Sequence, residues 1–128
     1  MGMLSGFPFE TKKDRERKSR EYDERMFPLG AEKQWEKTLE VLDALVGDKV
    51  NKYDMISYTY LVAKDKYTTY KEDGLGAEAA KNELDRALKK NEEAKKLILT
   101  LIQLDTEAKS LDDFPTPERV REAAALGE

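Results

Sequence analysis

A chain of 128 residues with 39% charged and 39% apolar side chains suits one helix-rich domain with its own core, and it is too apolar for a disordered segment. The formal charge of −4 favours solubility and opposes general attraction to polyanions. With no Cys and no His, the chain excludes disulfides, thiolate nucleophiles, zinc sites built on those ligands, serine–histidine dyads and the Glu-x-x-His di-iron pattern of helical bundles.

Residues 1–9 have neither the basic start nor the apolar length of a secretion signal, and Gly6 stands where a myristoylation motif wants Ser or Thr. No apolar run approaches the roughly 18 residues of a membrane span. A soluble, cytoplasmic protein is the expectation.

Three Phe-Pro pairs (Phe7-Pro8, Phe27-Pro28 and Phe114-Pro115) should mark helix boundaries, because proline disfavours helix in the residue before it. The first helix is expected over 11–25, opened by Thr11 with Asp14 three residues on, a variant of the capping box. The second spans 30–46 and stops at Gly47. Its stripe is Trp35, Leu39, Leu42, Leu45 and Val46, with Glu32, Glu36, Glu40 and Asp43 largely off it.

The third helix is expected from about Asn51 to before Gly74. Tyr53, Tyr60 and Tyr67 recur every seven residues, with Ile56, Ala63 and Tyr70 between them. Residues 56–62 are also rich in β-branched and aromatic types, which leaves a buried strand as the alternative. The unbroken 3-4 spacing and the lack of a partner strand favour helix. No residue from Met55 to Ala63 is charged, so this helix is expected to be covered on most sides and to form the centre of the bundle.

A fourth helix is expected over 76–110, on the order of 50 Å long at 1.5 Å per residue. Its segment 97–104 carries six apolar residues in eight, covering roughly 220° of the helix, about twice what a one-sided core face needs. Leu97, Ile98, Leu99, Leu101, Ile102 and Leu104 are therefore deep core, or core plus a partner interface. Thr116-Pro117-Glu118 opens a last short helix to about Leu126.

The architecture that follows is all-α: an up-down bundle of three main helices over 30–46, 51–71 and 76–110. A charged N-terminal helix or arm occupies 1–28, and the short C-terminal helix completes a domain over 29–128.

Function is less legible. Lys12, Lys13, Arg15, Arg17, Lys18 and Arg20 form a basic segment suited to phosphate contacts and salt-sensitive nucleic-acid binding. The same segment reads first as a self-paired, solvated helix. Asp14 and Lys18, Glu16 and Arg20, and Glu21 and Arg25 are four apart, and seven basic against six acidic residues over 1–28 leave only +1.

The tyrosine stripe has the chemistry of a stacking platform, but such stripes at helical spacing are usually core, with Tyr70 the member expected at the surface. Asp54 and Asp65 stand too far apart on one helix for paired acid–base work. Glu92-Glu93 and Asp112-Asp113 are solvated pairs without a calcium-loop pattern. Gly74-Leu75-Gly76 is a turn, not a phosphate cradle. Asn91 falls in the apolar register of the fourth helix, where it either fixes register or lies exposed at a bend.

No catalytic, cofactor or metal site is expected. The leading reading is a non-enzymatic interaction or structural protein, expected to self-associate through the 97–104 segment. The alternative is a nucleic-acid accessory factor working through residues 12–20.

Overall fold

The computed structural model describes residues 11–47, 50, 51 and 53–127. Among them the chain is all-α, with no strand. Six α-helices follow in order: α1 (Lys12–Met26), α2 (Ala31–Val46), α3 (Met55–Tyr70), α4 (Gly76–Ala87), α5 (Glu92–Glu107) and α6 (Pro117–Leu126), with a 3-10 turn at Leu111–Asp113 before α6. The Phe7-Pro8 pair lies outside the described residues.

The helix ends follow the capping chemistry of the sequence. Thr11 Oγ1 accepts from the Asp14 amide at 3.0 Å while Asp14 returns a bond to the Thr11 N–H, so the expected capping box closes. Gly47 ends α2 in the left-handed region at φ 71°, where a side chain would be strained. Thr116 and Pro117 open α6 as cap and first residue. Segment 56–62 is helical, which removes the strand alternative.

Three expectations are corrected. Residues 76–110 are not one long helix: α4 ends at Ala87 and α5 begins at Glu92. The break is local chemistry, for Asn91 Oδ1 accepts from the Ala94 N–H at 3.1 Å and Glu92 and Glu93 follow in the first turn. Asn91 is thus an exposed N-cap rather than a buried register residue.

The third helix starts at Met55, four residues later than Asn51. Asn51 spends its side chain on the Tyr53 N–H and Asp54 accepts from the Asn51 N–H, so these residues form a turn ahead of the helix. Tyr53 consequently leaves the stripe and stands 85% exposed.

The centre of the molecule is α5, not α3. Helix α5 packs against α2, α3, α4 and α6, whereas α3 meets α1, α4 and α5 and leaves Met55 and Tyr58 in solvent. Four neighbours are why α5 needs an apolar arc twice the usual width.

The core gathers Val41, Leu42 and Leu45 of α2, Tyr60 and Ala63 of α3, Leu84 of α4, the inner residues of α5, and Val120 and Ala124 of α6. Each fully buried aliphatic side chain contributes about 1.5–3 kcal/mol. Helix α2 turns Gln34, Thr38, Val41, Leu42 and Leu45 inward and leaves Trp35, Leu39 and Val46 half-buried, so its buried face is rotated from the stripe that apolar residues alone mark. The start of α4 lies tight against the end of α3 at Gly76, where a Cβ would stand 2.6 Å from the Tyr67 carbonyl oxygen.

Candidate functional site

The densest chemistry in the molecule is a sealed polar cluster at the junction of α1, α2, α3 and α5. Tyr60 and Lys64, one turn apart on α3, point towards Asp105 in the last turns of α5. Asp105 Oδ2 accepts from the Tyr60 hydroxyl at 2.5 Å and from Lys64 Nζ at 2.8 Å, and Oδ1 accepts from Gln34 Nε2 at 2.7 Å. The Gln34 side-chain oxygen Oε1 in turn accepts from the Leu29 N–H at 2.8 Å.

Lys64 also donates to the carbonyl of Met26, the last residue of α1. An ammonium there satisfies one of the orphan carbonyls of a helix C-terminus and meets the negative end of its dipole. The Phe27 ring lies 4.9 Å below the ammonium, and Phe27, Trp35 and Tyr60 form a tilted aromatic series with centroids 5.7 and 6.3 Å apart.

Burial sets the electrostatics. The side chains of Lys64 and Asp105 are 1% and 0% exposed. Desolvation lowers the Lys64 pKa from its ordinary value, opposed by the Asp105 charge and hydrogen bond. Desolvation, the Asp105 charge and the hydrogen bond to it all raise that of Tyr60, placing it well above a free phenol.

A lysine whose charge is discouraged by burial is a starting point for amine nucleophiles. Here the ammonium is spent on Met26 and Asp105, and Phe27 closes over it. Phe27 lines a shallow groove at the end of α1, but Tyr60, Lys64, Asp105 and Gln34 line none of the surface grooves. Every buried side-chain polar atom among the described residues has at least one protein partner, so the cluster is bonded within itself. Its chemistry is that of a four-helix staple.

Sequence reading missed this cluster. The signal was present as register: Asp105 continues the Ile98, Leu101 and Ile102 face of α5, and Gln34 and Thr38 lead into the Val41 and Leu42 face of α2. A charge or amide in a core register is the mark of a buried partner.

The residues expected at a partner interface divide. Leu97, Ile98, Leu101 and Ile102 are core, at most 6% exposed. Leu99 and Leu104 are half-buried and line a groove on the seam of α5 with α6. That groove, 450 Å³, adjoins a second of 520 Å³ between α4 and α5, and the two share Lys96, Leu99 and Gly127. Charges of both signs ring the second: Lys81 and Lys95 against Asp85, Glu92 and Glu93. Lys95 is already engaged, with Asp85 at 3.1 Å and Glu92 at 2.7 Å.

The basic segment lies on α1, where Lys12, Lys13, Arg15, Arg17, Lys18 and Arg20 are all exposed. They do not form one face. At 100° per residue Lys12, Arg15 and Lys18 lie on one side and Lys13, Arg17 and Arg20 on another, with Glu16 between. Arg17 pairs loosely with Asp14 at 3.9 Å. The helix is held at its other end, by Arg25 to Asp65 at 2.6 Å and by the buried Met26.

Among the described residues no three acidic side chains converge as a metal site requires, and no helix is long and apolar enough to cross a membrane. No protein-family model matches the chain, and neither a curated protein nor a solved structure shows significant similarity to it.

Proposed function

We propose that this chain is a non-enzymatic interaction protein that associates with copies of itself. The observation that carries the reading is a contrast of burial. Lys64, Asp105, Tyr60 and Gln34 are sealed in the interior and bonded to one another, while Tyr53, Met55 and Tyr58 stand 85%, 72% and 65% exposed close together in the chain, with Leu126, Leu75 and Tyr70 the other large apolar side chains exposed among the described residues. Leu99 and Leu104 in their groove add a second, shallower apolar surface. Sedimentation velocity across a concentration series tests the reading: a dimer or larger species is expected, and a strictly monomeric protein at every concentration refutes it.

A second reading, nucleic-acid association, is favoured by the exposure of six basic side chains on α1. It predicts a mobility shift with duplex or single-stranded probes at about 50 mM salt, abolished by neutralising Lys12, Lys13, Arg15 and Arg17. The division of those charges between two sides of the helix, among acidic neighbours, weighs against it.

A further inference from the structure

Helix α1 is anchored at one end. Residues 12–21 are exposed, apart from Asp14, which turns back onto the Thr11 cap. Ties to the bundle stand at residues 25–27, and three of them meet neighbouring residues of α3: Arg25 to Asp65, the Met26 carbonyl to Lys64 Nζ, and Met26 Sδ to Thr68 Oγ1 at 3.9 Å. Phe27 adds its ring against Trp35 and under the Lys64 ammonium. Met26 and Phe27 are buried, yet neither belongs to the core cluster that α2–α6 share. The other terminal helix differs, since α6 puts Val120 and Ala124 into that core.

We propose that α1 is a strap that opens from the bundle as a unit, hinged just before Leu29, while α2–α6 stay folded, and that Lys64 is its latch. The motion needs no second copy of the chain, so it stands apart from self-association.

Opening leaves the rest of the molecule satisfied. Asp105 keeps Tyr60, Gln34 and Lys64, so the carboxylate stays paired, and the core cluster loses no member. Lys64 gives up the Met26 carbonyl and meets water on that side, which eases the burial of its charge. Met26 and Phe27 are the buried apolar side chains of the strap, and their exposure sets most of the cost of opening. The Leu29 N–H, held by Gln34 Oε1, keeps the chain from Leu29 onward with α2. The backbone change therefore falls on Phe27 and Pro28, and Phe27 already lies outside the helical and extended regions at φ −136°, ψ 63°. Once undocked, a helix of 15 residues this polar is marginal in water, so its amides exchange with solvent soon after it opens.

Two measurements on the full chain test the strap. Native-state hydrogen exchange in sub-denaturing urea compares the amides of Met26 and Phe27 with those of Leu101 and Ile102. A pulse of an acetylating ester, read by mass spectrometry, follows the Lys64 amine. The Met26 and Phe27 amides and Lys64 should share one opening constant, roughly tenfold or more above that of α5, with a shallower urea dependence because less surface is exposed. Met26→Ala should raise that constant roughly tenfold or more, since the side chain is buried only in the closed form. Val120→Ala, in the α6 part of the core, should speed exchange in α5 and leave Lys64 labelling unchanged, because Val120 stays buried whether the strap is open or shut. Circular dichroism checks that both variants fold, and the wild-type comparison of urea dependence decides without them. If Lys64 and the two α1 amides share the opening constant and urea slope of α5, α1 leaves only on global unfolding and the strap is overturned. Lys64 labelling that rises in step with α5 exchange in Val120→Ala overturns it equally.

Discussion

Replacing Lys64 by Met removes one end of a buried ion pair while keeping most of the side-chain volume. Asp105 then retains Tyr60 and Gln34 as donors, but its charge has no counter-ion at 0% exposure, and the Met26 carbonyl loses its donor. Breaking a buried pair from one side costs about 3–5 kcal/mol. A domain of this size has about 5–15 kcal/mol to lose, so the variant should unfold at markedly lower urea with an unchanged slope.

Replacing Asp105 by Leu strands Lys64, the Tyr60 hydroxyl and the Gln34 amide, and should cost at least as much. In the double variant no charge remains to be compensated. Only the neutral hydroxyl, amide and carbonyl lose partners, at about 1–3 kcal/mol each if they find none. The double variant should therefore be more stable than the sum of the two singles predicts, by about 2 kcal/mol or more. Urea unfolding followed by circular dichroism at neutral pH measures all four corners of the cycle. A loss under about 1 kcal/mol for Lys64→Met, or additive costs across the cycle, would refute the staple as a coupled unit.

Alkaline stability follows from the same cluster. Burial and Asp105 hold the Tyr60 pKa well above 10.0, so above pH 10 the folded chain keeps a proton that the unfolded chain releases, and stability falls as pH rises through that window. Lys64 acts in the opposite sense. Its folded value lies below 10.5, so just under pH 10.5 the unfolded chain binds more protons and stability rises with pH. The Lys64 effect ends near pH 10.5, where the unfolded lysine has lost its proton, while that of Tyr60 continues above it: the urea midpoint is expected to fall above about pH 10.5, and Tyr60→Phe should flatten the decline. Absorbance titration should show Tyr60, one of six tyrosines, ionising only as the chain unfolds. Gly76→Ala sets a Cβ 2.6 Å from the Tyr67 carbonyl and 3.1 Å from Lys71 Cα, both backbone. The overpacking should cost about 1–3 kcal/mol and lower the thermal midpoint, despite the better helix propensity of alanine. Asn91→Ala removes the α5 cap and should cost about 1 kcal/mol by urea unfolding, without fusing α4 to α5.

Local chemistry in the sequence determined most of the helix ends. Thr11 with Asp14, Gly47, and Thr116 with Pro117 each act through groups within a few residues, so no distant neighbour is needed to place them. Composition likewise pointed to a helix-rich chain, while the strand alternative at 56–62 was removed only by the structure. Asn91 shows where that reasoning reaches its edge: an apolar register ran through it, and the cap with two following glutamates overruled the register.

What only the tertiary structure decided is which faces are covered and by what. The wide apolar arc of 97–104 calls equally for a partner chain or for several neighbours in the same chain, and the packing of α5 against four helices chose the latter for Leu97, Ile98, Leu101 and Ile102. The uncharged middle of α3 implied cover on most sides, yet Met55 and Tyr58 emerged into solvent. Lys64, Asp105 and Gln34 are individually ordinary surface residue types. Burial became tolerable only when three helices and the end of α1 brought their donors and acceptors within 3 Å of one another; register marks Asp105 and Gln34 as inward-facing, but which residue pairs with which across 71 residues of chain is set by the packing alone.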